Sequence, residues 1–172
     1  MFLGLGQGIF IDAQIKTYLV DESLSEITFK IKHMGVLTVE GQFQNIEGTI
    51  VFDANELVRL ESKIAVNSIN TSNKSRDETL IEESYLNSKA YPEIIFYSER
   101  IEKNEIMGKL SLRGVTKIIN LPFTIEFVDD NQFRIVIAST IARDYFDLKF
   151  GSMDNLIGNE IKVDLKIAMK LN

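Results

Sequence analysis

The one histidine of the chain, His33, is the side chain best suited to proton transfer near neutral pH. A serine hydrolase would need a nucleophilic serine within its reach, and the sequence contains no G-x-S-x-G turn. A metal site would need Asp and Glu ligands alone beside it, because the sequence has no cysteine and no second histidine. Catalysis is therefore disfavoured, and we expect no cofactor and no metal. His33 could instead hold a polar group of a ligand, or be a core histidine bonded to a neighbouring backbone or hydroxyl group.

Two arginine–aspartate pairs are the other charged groups that could bind a ligand. Arg76 precedes Asp77, and Arg143 precedes Asp144. Either arginine could hold the polar head group of a bound molecule. Alternatively, each pair could fix a helix start or a loop through local ion pairs, which contribute little to stability when exposed. The candidate head-group residues are therefore His33, Arg76 and Arg143.

The composition describes a folded chain with an acidic surface. Hydrophobic residues make up 45% of the sequence, and 172 residues suffice for one domain with a substantial core. The formal net charge of −6, with lysines scattered singly among acids, argues against a nucleic-acid partner and against electrostatic attachment to anionic lipid. The sequence leaves the oligomeric state open, with a homodimer among the alternatives.

The first 14 residues form a separate apolar and glycine-rich segment. A membrane span needs about 20 apolar residues, so we expect no stable insertion into a membrane. The segment is similar to the second half of a secretory signal, with a processing site near residues 12–14, although no basic region precedes it. We predict that residues 1–14 are a signal-peptide remnant or a disordered N-terminus, and that residues 15–172 are the folded domain. A signal would make the protein periplasmic or secreted; the alternative is cytoplasmic.

Long stretches of alternating apolar and polar residues predict β-strands. Residues 93–126 alternate with polar interruptions at 103–104 and 113–117, and residues 161–171 show the clearest alternation. Several of these strands exceed the usual length of about five or six residues. Long antiparallel strands in close succession tend to close on themselves. The sequence therefore predicts an all-β, eight-stranded antiparallel barrel, whose interior is filled by side chains or holds one small ligand.

Two irregularities interrupt this pattern. The apolar phase of the second predicted strand changes near Asn45, which indicates a bulge. Ser75 and Glu78 have the spacing of a capping box, and a proline follows some residues later. We therefore expect one short helix that begins at Ser75 and ends before Ala90. A short helix with an apolar face would cover one end of the barrel.

The parity of each strand, together with the helix, selects the residues that face the interior. Their side chains would contact a ligand in a hollow barrel, or one another in a packed core, and the residue types do not distinguish the two. The candidate ligand-binding residues are Ile27, Phe29, Ile31, His33, Phe43, Leu80, Phe96, Leu110, Leu112, Leu121, Phe123, Ile137 and Val163.

Several short segments are distinctive in their order and spacing along the chain, and the run from Gly108 to Lys117 is the most recognisable. The segments are residues 18–21, 25–33, 41–43, 48–53, 68–71, 76–80, 91–96, 108–117 and 143–146. Together they resemble the YceI-like polyisoprenoid-binding family, and the resemblance covers roughly residues 17–170.

The resemblance implies a lipocalin-like barrel that holds a long amphiphilic chain, such as a polyisoprenoid, an isoprenoid quinone or a fatty-acid derivative. It therefore favours a non-enzymatic protein that binds, transports or stores such a molecule, with the tail along the inward-facing residues. The alternative is a ligand-free β-domain that mediates protein association. That alternative predicts a filled barrel and apolar residues clustered on the outside, whereas outward positions such as Lys30, Lys32 and Lys166 are polar.

Overall fold

The computed structural model describes residues 15–129 and 131–172 of the protein. Their α-helix, α1, spans Lys74–Leu80, and shorter 3-10 turns lie at Glu22–Leu24, Val66–Ser68, Asp144–Phe146 and Gly151–Leu156. The strands are β1 (Lys16–Val20), β2 (Glu26–His33), β3 (Leu37–Phe43), β4 (Ile46–Asp53), β5 (Glu56–Ala65), β6 (Ile69–Asn70), β7 (Glu93–Glu102), β8 (Glu105–Leu112), β9 (Val115–Phe127), β10 (Gln132–Ala142) and β11 (Ile157–Leu171).

The strands close into the eight-stranded antiparallel barrel that the sequence predicts. The closed ring runs β1-β4-β5-β7-β8-β9-β10-β11 and returns to β1, which pairs with both β4 and β11. One edge of β11 pairs with β10 along most of its length. The other edge of β11 pairs with β2 over residues 157–166 and with β1 over residues 169–171. β2, β3 and the short β6 continue the sheet beside the ring.

The irregularity predicted near Asn45 is a break between two strands. β3 ends at Phe43 and β4 begins at Ile46, and the two strands pair with different neighbours. The hydroxyl of Ser68 accepts the N–H groups of Gln44 and Asn45, each at 3.1 Å. The break thus has its backbone donors satisfied, and it lets β3 leave the ring while β4 stays in it.

The predicted start of the helix at Ser75 is wrong by one residue, whereas its end falls before Ala90 as predicted. α1 begins at Lys74, because the side chain of Asn73 accepts the N–H of Arg76 at 3.1 Å and acts as the N-cap. No capping box forms from Ser75 and Glu78. The helix ends at Leu80, and the chain then passes through turns in which the N–H of Leu86 donates to the carbonyl of Leu80 at 2.9 Å. As expected, the short helix lies at one end of the barrel, called here the helix end.

The opposite end of the barrel is closed by three aromatic rings. Tyr18, Phe52 and Phe133 are all buried, and each ring meets the other two edge to face, with centroid distances of 4.8 to 5.7 Å. This geometry is the preferred one for aromatic pairs. These rings form a plug, called here the aromatic end, that leaves the region between it and α1 as the barrel interior.

Candidate functional site

The interior of the barrel contains a cavity of about 610 Å³. Every strand and α1 contribute side chains to its wall, and these side chains are overwhelmingly aliphatic or aromatic. Its volume lies within the range of about 300–1,000 Å³ that small-molecule sites occupy. The strand alternation explains the wall, since every second residue of each strand points inward.

The cavity is long and narrow. β11 contributes lining residues from Ile157, which pairs with His33 at the helix end, to Met169, which pairs with Phe133 at the aromatic end. The twelve residue-to-residue steps from Ile157 to Met169 span about 40 Å, or about 30 Å of depth in a barrel with strands tilted by roughly 40°. A cavity of about 610 Å³ spread over such a depth suits a single extended chain better than a compact molecule.

Most of the residues selected by strand parity lie on the cavity wall. Phe123 is the exception, because it is buried near the aromatic end, where its N–H donates to the carbonyl of Asn104 at 3.0 Å. Whether any wall residue contacts a ligand stays a prediction. The candidates on the wall are Ile27, Phe29, Ile31, His33, Phe43, Leu80, Phe96, Leu110, Leu112, Leu121, Ile137 and Val163.

Two glycines hold aromatic rings against the wall. A Cβ on Gly41 would lie 2.4 Å from the ring of Phe29, which is its cross-strand partner. A Cβ on Gly108 would lie 2.5 Å from the ring of Phe96 and 2.4 Å from the carbonyl oxygen of Tyr97. The ring of Phe29 lies where a side chain at position 41 would be, and the ring of Phe96 lies where a side chain at position 108 would be. Because glycine has no side chain, both rings can lie against the wall, and more of the interior stays open.

The segment after β10 covers the helix end and adds wall residues that the sequence analysis missed. Leu148, Phe150 and Met153 line the cavity, and the ring of Phe150 stacks on Tyr85 at 5.9 Å between centroids. These residues lie outside regular strands, so they belong to no alternating pattern. No periodic signal in the sequence marks them as lining residues.

Arg143 holds this segment in place and does not line the cavity. Its guanidinium is buried and donates to the carbonyl of Leu148 at 2.7 Å and to those of Asp154 and Ile157, each at 3.2 Å. It also pairs with the carboxylate of Asp154. Arg143 therefore has the structural role that was the alternative to holding a ligand head group. Its ionic partner is Asp154 and not the adjacent Asp144.

The carboxylate of Asp154 is stabilised in its charged form. It accepts the N–H of Phe150 at 2.9 Å, and this hydrogen bond, together with that from Arg143, lowers the pKa of Asp154 below its ordinary value. The charged state of Asp154 is therefore part of the closed arrangement of the segment over the cavity.

Arg76 does lie on the cavity wall, at the start of α1. Its Nε donates to the hydroxyl of Thr71 at 2.8 Å, and its Nη2 donates to the carbonyl of the same residue at 2.7 Å. The carboxylate of Asp77 accepts the N–H of Thr71 at 2.9 Å and also its hydroxyl. Arg76 and Asp77 thus brace the entry to the helix through one buried threonine, and their charges lie close together.

His33 lies on the wall at the helix end, as strand parity predicts. Its Nε2 is buried, and no atom of residues 15–129 or 131–172 forms a hydrogen bond with it. For Nε2, the described residues therefore do not support the alternative of a core histidine that is bonded to a neighbour. Nε2 is thus a buried polar atom without a partner among the described residues, at one end of a mostly apolar wall.

Two further observations concern the described part of the chain. No group of three or more histidine, aspartate or glutamate side chains there is arranged to hold a metal ion. None of its helices has the length and apolar character that crossing a membrane requires.

Comparison with models of known protein families shows the family to which the chain belongs. The model of the YceI-like domain matches residues 18–169. The chain belongs to the YceI-like domain family. This YceI-like domain is similar over nearly its whole length to a UPF0312 protein of Staphylococcus aureus strain N315, at 25% identity over 169 residues, which cover 90% of this chain and 98% of that protein.

Solved structures share the fold of this YceI-like domain. BcnA of Burkholderia cenocepacia superposes with a TM-score of 0.77 at 20% identity, over 87% of this chain and 98% of that one. A polyisoprenoid binding domain of Saccharophagus degradans, implicated in plant cell wall breakdown, gives 0.76 at 15% identity, over 90% and 98% of the two chains. The YceI protein of Campylobacter jejuni gives 0.69 at 26% identity, over 83% and 90%.

Proposed function

We propose that this YceI-like domain binds one long-chain amphiphile inside its barrel and carries or stores it without chemical change. The ligand class is a polyisoprenoid, an isoprenoid quinone or a fatty-acid derivative. The observation that carries the proposal is the long, mostly apolar cavity of about 610 Å³, whose wall has few polar side chains. The structural neighbour from Saccharophagus degradans, described as a polyisoprenoid binding domain, supports the same class of ligand.

The energetics favour a long tail. Burying one CH₂ group contributes about 0.8 kcal/mol, so a five-carbon isoprene unit contributes about 4 kcal/mol. Association and ordering of the ligand cost about 4–15 kcal/mol. Three or four units in the cavity would therefore offset this cost, whereas a single unit would not. Affinity is expected to depend on tail length more strongly than on any one polar contact.

The shape of the interior disfavours the alternative of a ligand-free domain for protein association, which predicts a filled barrel. A non-enzymatic role agrees with the chemistry of the wall, where the ionisable side chains are few. The cellular location, periplasmic or secreted with cytoplasmic as the alternative, stays a prediction from residues 1–14. Those residues lie outside the part that the structure describes.

Native mass spectrometry of gently purified protein, followed by organic extraction, tests the proposal. We expect one apolar-tailed molecule per chain, released by the solvent and identified by its fragments. A protein that keeps its apo mass after incubation with prenyl quinones and fatty amides would contradict the proposal. The same spectrum reports the oligomeric state, which the sequence leaves open, and thereby distinguishes a monomer from a homodimer.

A further inference from the structure

Strands β9 and β10 separate towards the helix end of the barrel. In the described part of the chain, they pair only between residues 123–127 and residues 133–137. Beyond these pairs, residues 115–122 of β9 pair with β8 alone, and residues 138–142 of β10 pair with β11 alone, among the described residues. Neighbouring strands of a closed barrel normally continue their ladder of hydrogen bonds, so this separation is a split in the wall.

The split opens onto the cavity. Ile119 and Leu121 on its β9 side and Ile141 on its β10 side belong to the cavity wall. Ile119 and Ile141 are only partly buried. An apolar molecule that passed between the two strands would therefore reach the apolar wall directly.

Residues 144–153 of the segment after β10, called here the flap, cover this split. The turn Asp144–Phe146 contacts both β9 and β10, and only 1% of the surface of Phe146 is exposed. Phe146 is not on the cavity wall, whereas Leu148 and Phe150 are. Phe146 thus packs where the strands part, and the rest of the flap separates the cavity from solvent there.

The flap is attached firmly on the side of β11. The N–H of Arg143 donates to the carbonyl of Asn159 at 2.7 Å, and the N–H of Asp144 donates to the side-chain oxygen of Asn159 at 2.9 Å. The N–H groups of Phe146 and Leu148 donate to the carbonyl of Arg143 at 3.2 and 3.1 Å. These bonds lie within the flap or at its base, so they can persist when the flap moves as a unit.

The opposite side of the flap is held weakly. The hydroxyl of Tyr145 donates to the carbonyl of Ile118 in β9 at 3.3 Å, and the ammonium group of Lys117 lies 5.1 Å from the centre of the Tyr145 ring. Among the described residues, this is the one hydrogen bond between the flap and β9. Tyr145 is 47% exposed, and exposed contacts of both kinds are weak. The stacking of Phe150 on Tyr85 is a further contact, made between rings.

We propose that the split between β9 and β10 is the passage by which the ligand enters and leaves the cavity, and that the flap is its gate. The flap turns about its base at Arg143 and Asn159, while Tyr145 and Lys117 form the latch that keeps it closed. The weak contacts decide the direction of opening, because the β9 side is released before the β11 side. This inference rests on the proposed function, since it assumes that the cavity takes an apolar molecule.

The latch is tested by the rates of binding. Stopped-flow fluorescence of diphenylhexatriene, an apolar rod-shaped dye, measures association with the full-length protein and dissociation from it. Tyr145→Phe keeps the ring but removes the hydroxyl, and Tyr145 is not on the cavity wall. The variant should therefore raise both rates by the same factor, about fivefold for one hydrogen bond, and leave the dissociation constant unchanged.

Tyr97→Phe is the matched control, because it removes a hydroxyl from a tyrosine of β7 that is 45% exposed. It should bind and release the dye as the wild type does. Unchanged rates in Tyr145→Phe, or a change in only one of its two rates, overturn the latch.

A crosslink tests the passage itself. The sequence contains no cysteine, so Ile118→Cys and Tyr145→Cys together provide the two thiols that the bifunctional reagent bismaleimidoethane joins, which ties the flap to β9. The linked protein should take up and release the dye at least about tenfold more slowly than the unlinked double variant, since the gate cannot open. Mass spectrometry verifies the link.

The control for the crosslink joins two strands that are already paired. Thr140→Cys and Lys162→Cys form an exposed pair across β10 and β11, and linking them should leave the rates unchanged. Equal rates in the linked and unlinked flap variants overturn the passage.

The failure of the proposed function is distinguishable from the failure of this inference. If diphenylhexatriene does not bind to the wild-type protein, the cavity takes no apolar molecule and both fall. If the dye binds but neither Tyr145→Phe nor the linked flap alters its rates, the proposed function stands and only the passage is overturned. Thermal unfolding establishes that each variant is folded.

Discussion

The guanidinium of Arg143 lies over the ring of Phe150, with 5.1 Å between its Cζ and the ring centroid. Phe150 is on the cavity wall, whereas Arg143 is behind it. Cation–π contact and the hydrogen bonds of Arg143 to the backbone of the same segment together fix the ring. Arg143 therefore influences the cavity through the segment that it holds, without facing the interior itself.

Replacement of Arg143 is expected to destabilise the protein. Arg143→Met leaves the carbonyls of Leu148 and Ile157 without this donor and removes the ion pair with Asp154, whose carboxylate keeps the N–H of Phe150. We expect a loss of about 3 kcal/mol in the free energy of unfolding, because buried acceptors are left unsatisfied. Urea unfolding measures it. The control is Arg134→Met on an exposed position of β10, which should change stability by less than about 0.5 kcal/mol. Equal effects of the two would show that Arg143 does not hold the segment.

Acidification is expected to loosen the segment over the cavity. The pKa of Asp154 is lowered in the folded state by the N–H of Phe150 and by Arg143, relative to an unfolded value of about 4. Its contribution to stability is therefore complete above about pH 4 and is lost as the pH falls through the depressed folded value. The protection of residues 144–156 against hydrogen exchange, relative to the intrinsic exchange rate at each pH, should fall in this range, and Asp154→Asn should remove this loss of protection.

A second carboxylate serves as the control for this experiment. The pKa of Asp21 is also lowered, mainly by the hydroxyl of Ser23. Its carboxylate is therefore protonated, like that of Asp154, only at a lower pH than that of an ordinary aspartate. Asp21 is bonded to Lys170, near the aromatic end. Asp21→Asn should leave the exchange of residues 144–156 as in the wild type. If it abolishes the pH dependence there, the acid effect is global and does not come from Asp154.

The two glycines that face the rings of Phe29 and Phe96, Gly41 and Gly108, should respond differently to alanine. In Gly108→Ala the new Cβ meets the backbone carbonyl of Tyr97 at 2.4 Å, so the strands must move, and we expect a cost of about 1–3 kcal/mol. In Gly41→Ala it first meets the ring of Phe29, which can turn into the cavity, so the cost is expected to be smaller. Both should weaken binding of diphenylhexatriene. Equal stability of the two variants would contradict this interpretation.

Filling the cavity should displace the ligand while the fold remains. Val163→Phe adds a ring to the wall beside Phe29, its partner across β2 and β11, and should reduce probe binding about tenfold without lowering the melting temperature, because unfilled space becomes filled. Lys162→Phe adds the same ring to the exposed face one residue away and should bind as the wild type does. If Val163→Phe binds the probe normally, the tail does not pass this position.

Affinity is expected to rise with prenyl length and then level off. Each added isoprene unit buries more tail until the narrow interior is full, after which further units stay in water and contribute nothing. A series of prenyl alcohols from C10 to C40, measured by displacement of diphenylhexatriene, would show this limit. An affinity that is independent of length would indicate that the tail remains outside the barrel.

The sequence by itself determined the class of fold and the composition of the wall. Alternation is a local property, since neighbouring residues of a strand point to opposite faces whatever the rest of the chain does. It therefore placed Phe29, Leu110 and Val163 on the inner face before any partner strand was known. The resemblance to the YceI-like family, from short segments in order, is confirmed by the family match over residues 18–169.

Only the tertiary structure decided which charges pair and whether the barrel is hollow. Arg143 pairs with Asp154 rather than the adjacent Asp144, because the fold of the segment after β10 brings a distant carboxylate to a buried guanidinium. The start of α1 at Lys74 depended on the extended backbone of Asn73, whose side chain caps the helix in place of the predicted Ser75. Whether the interior is empty or filled depends on the radius of the closed ring and on the total volume of the inward-facing side chains of all strands. The alternation within one strand does not determine that total volume.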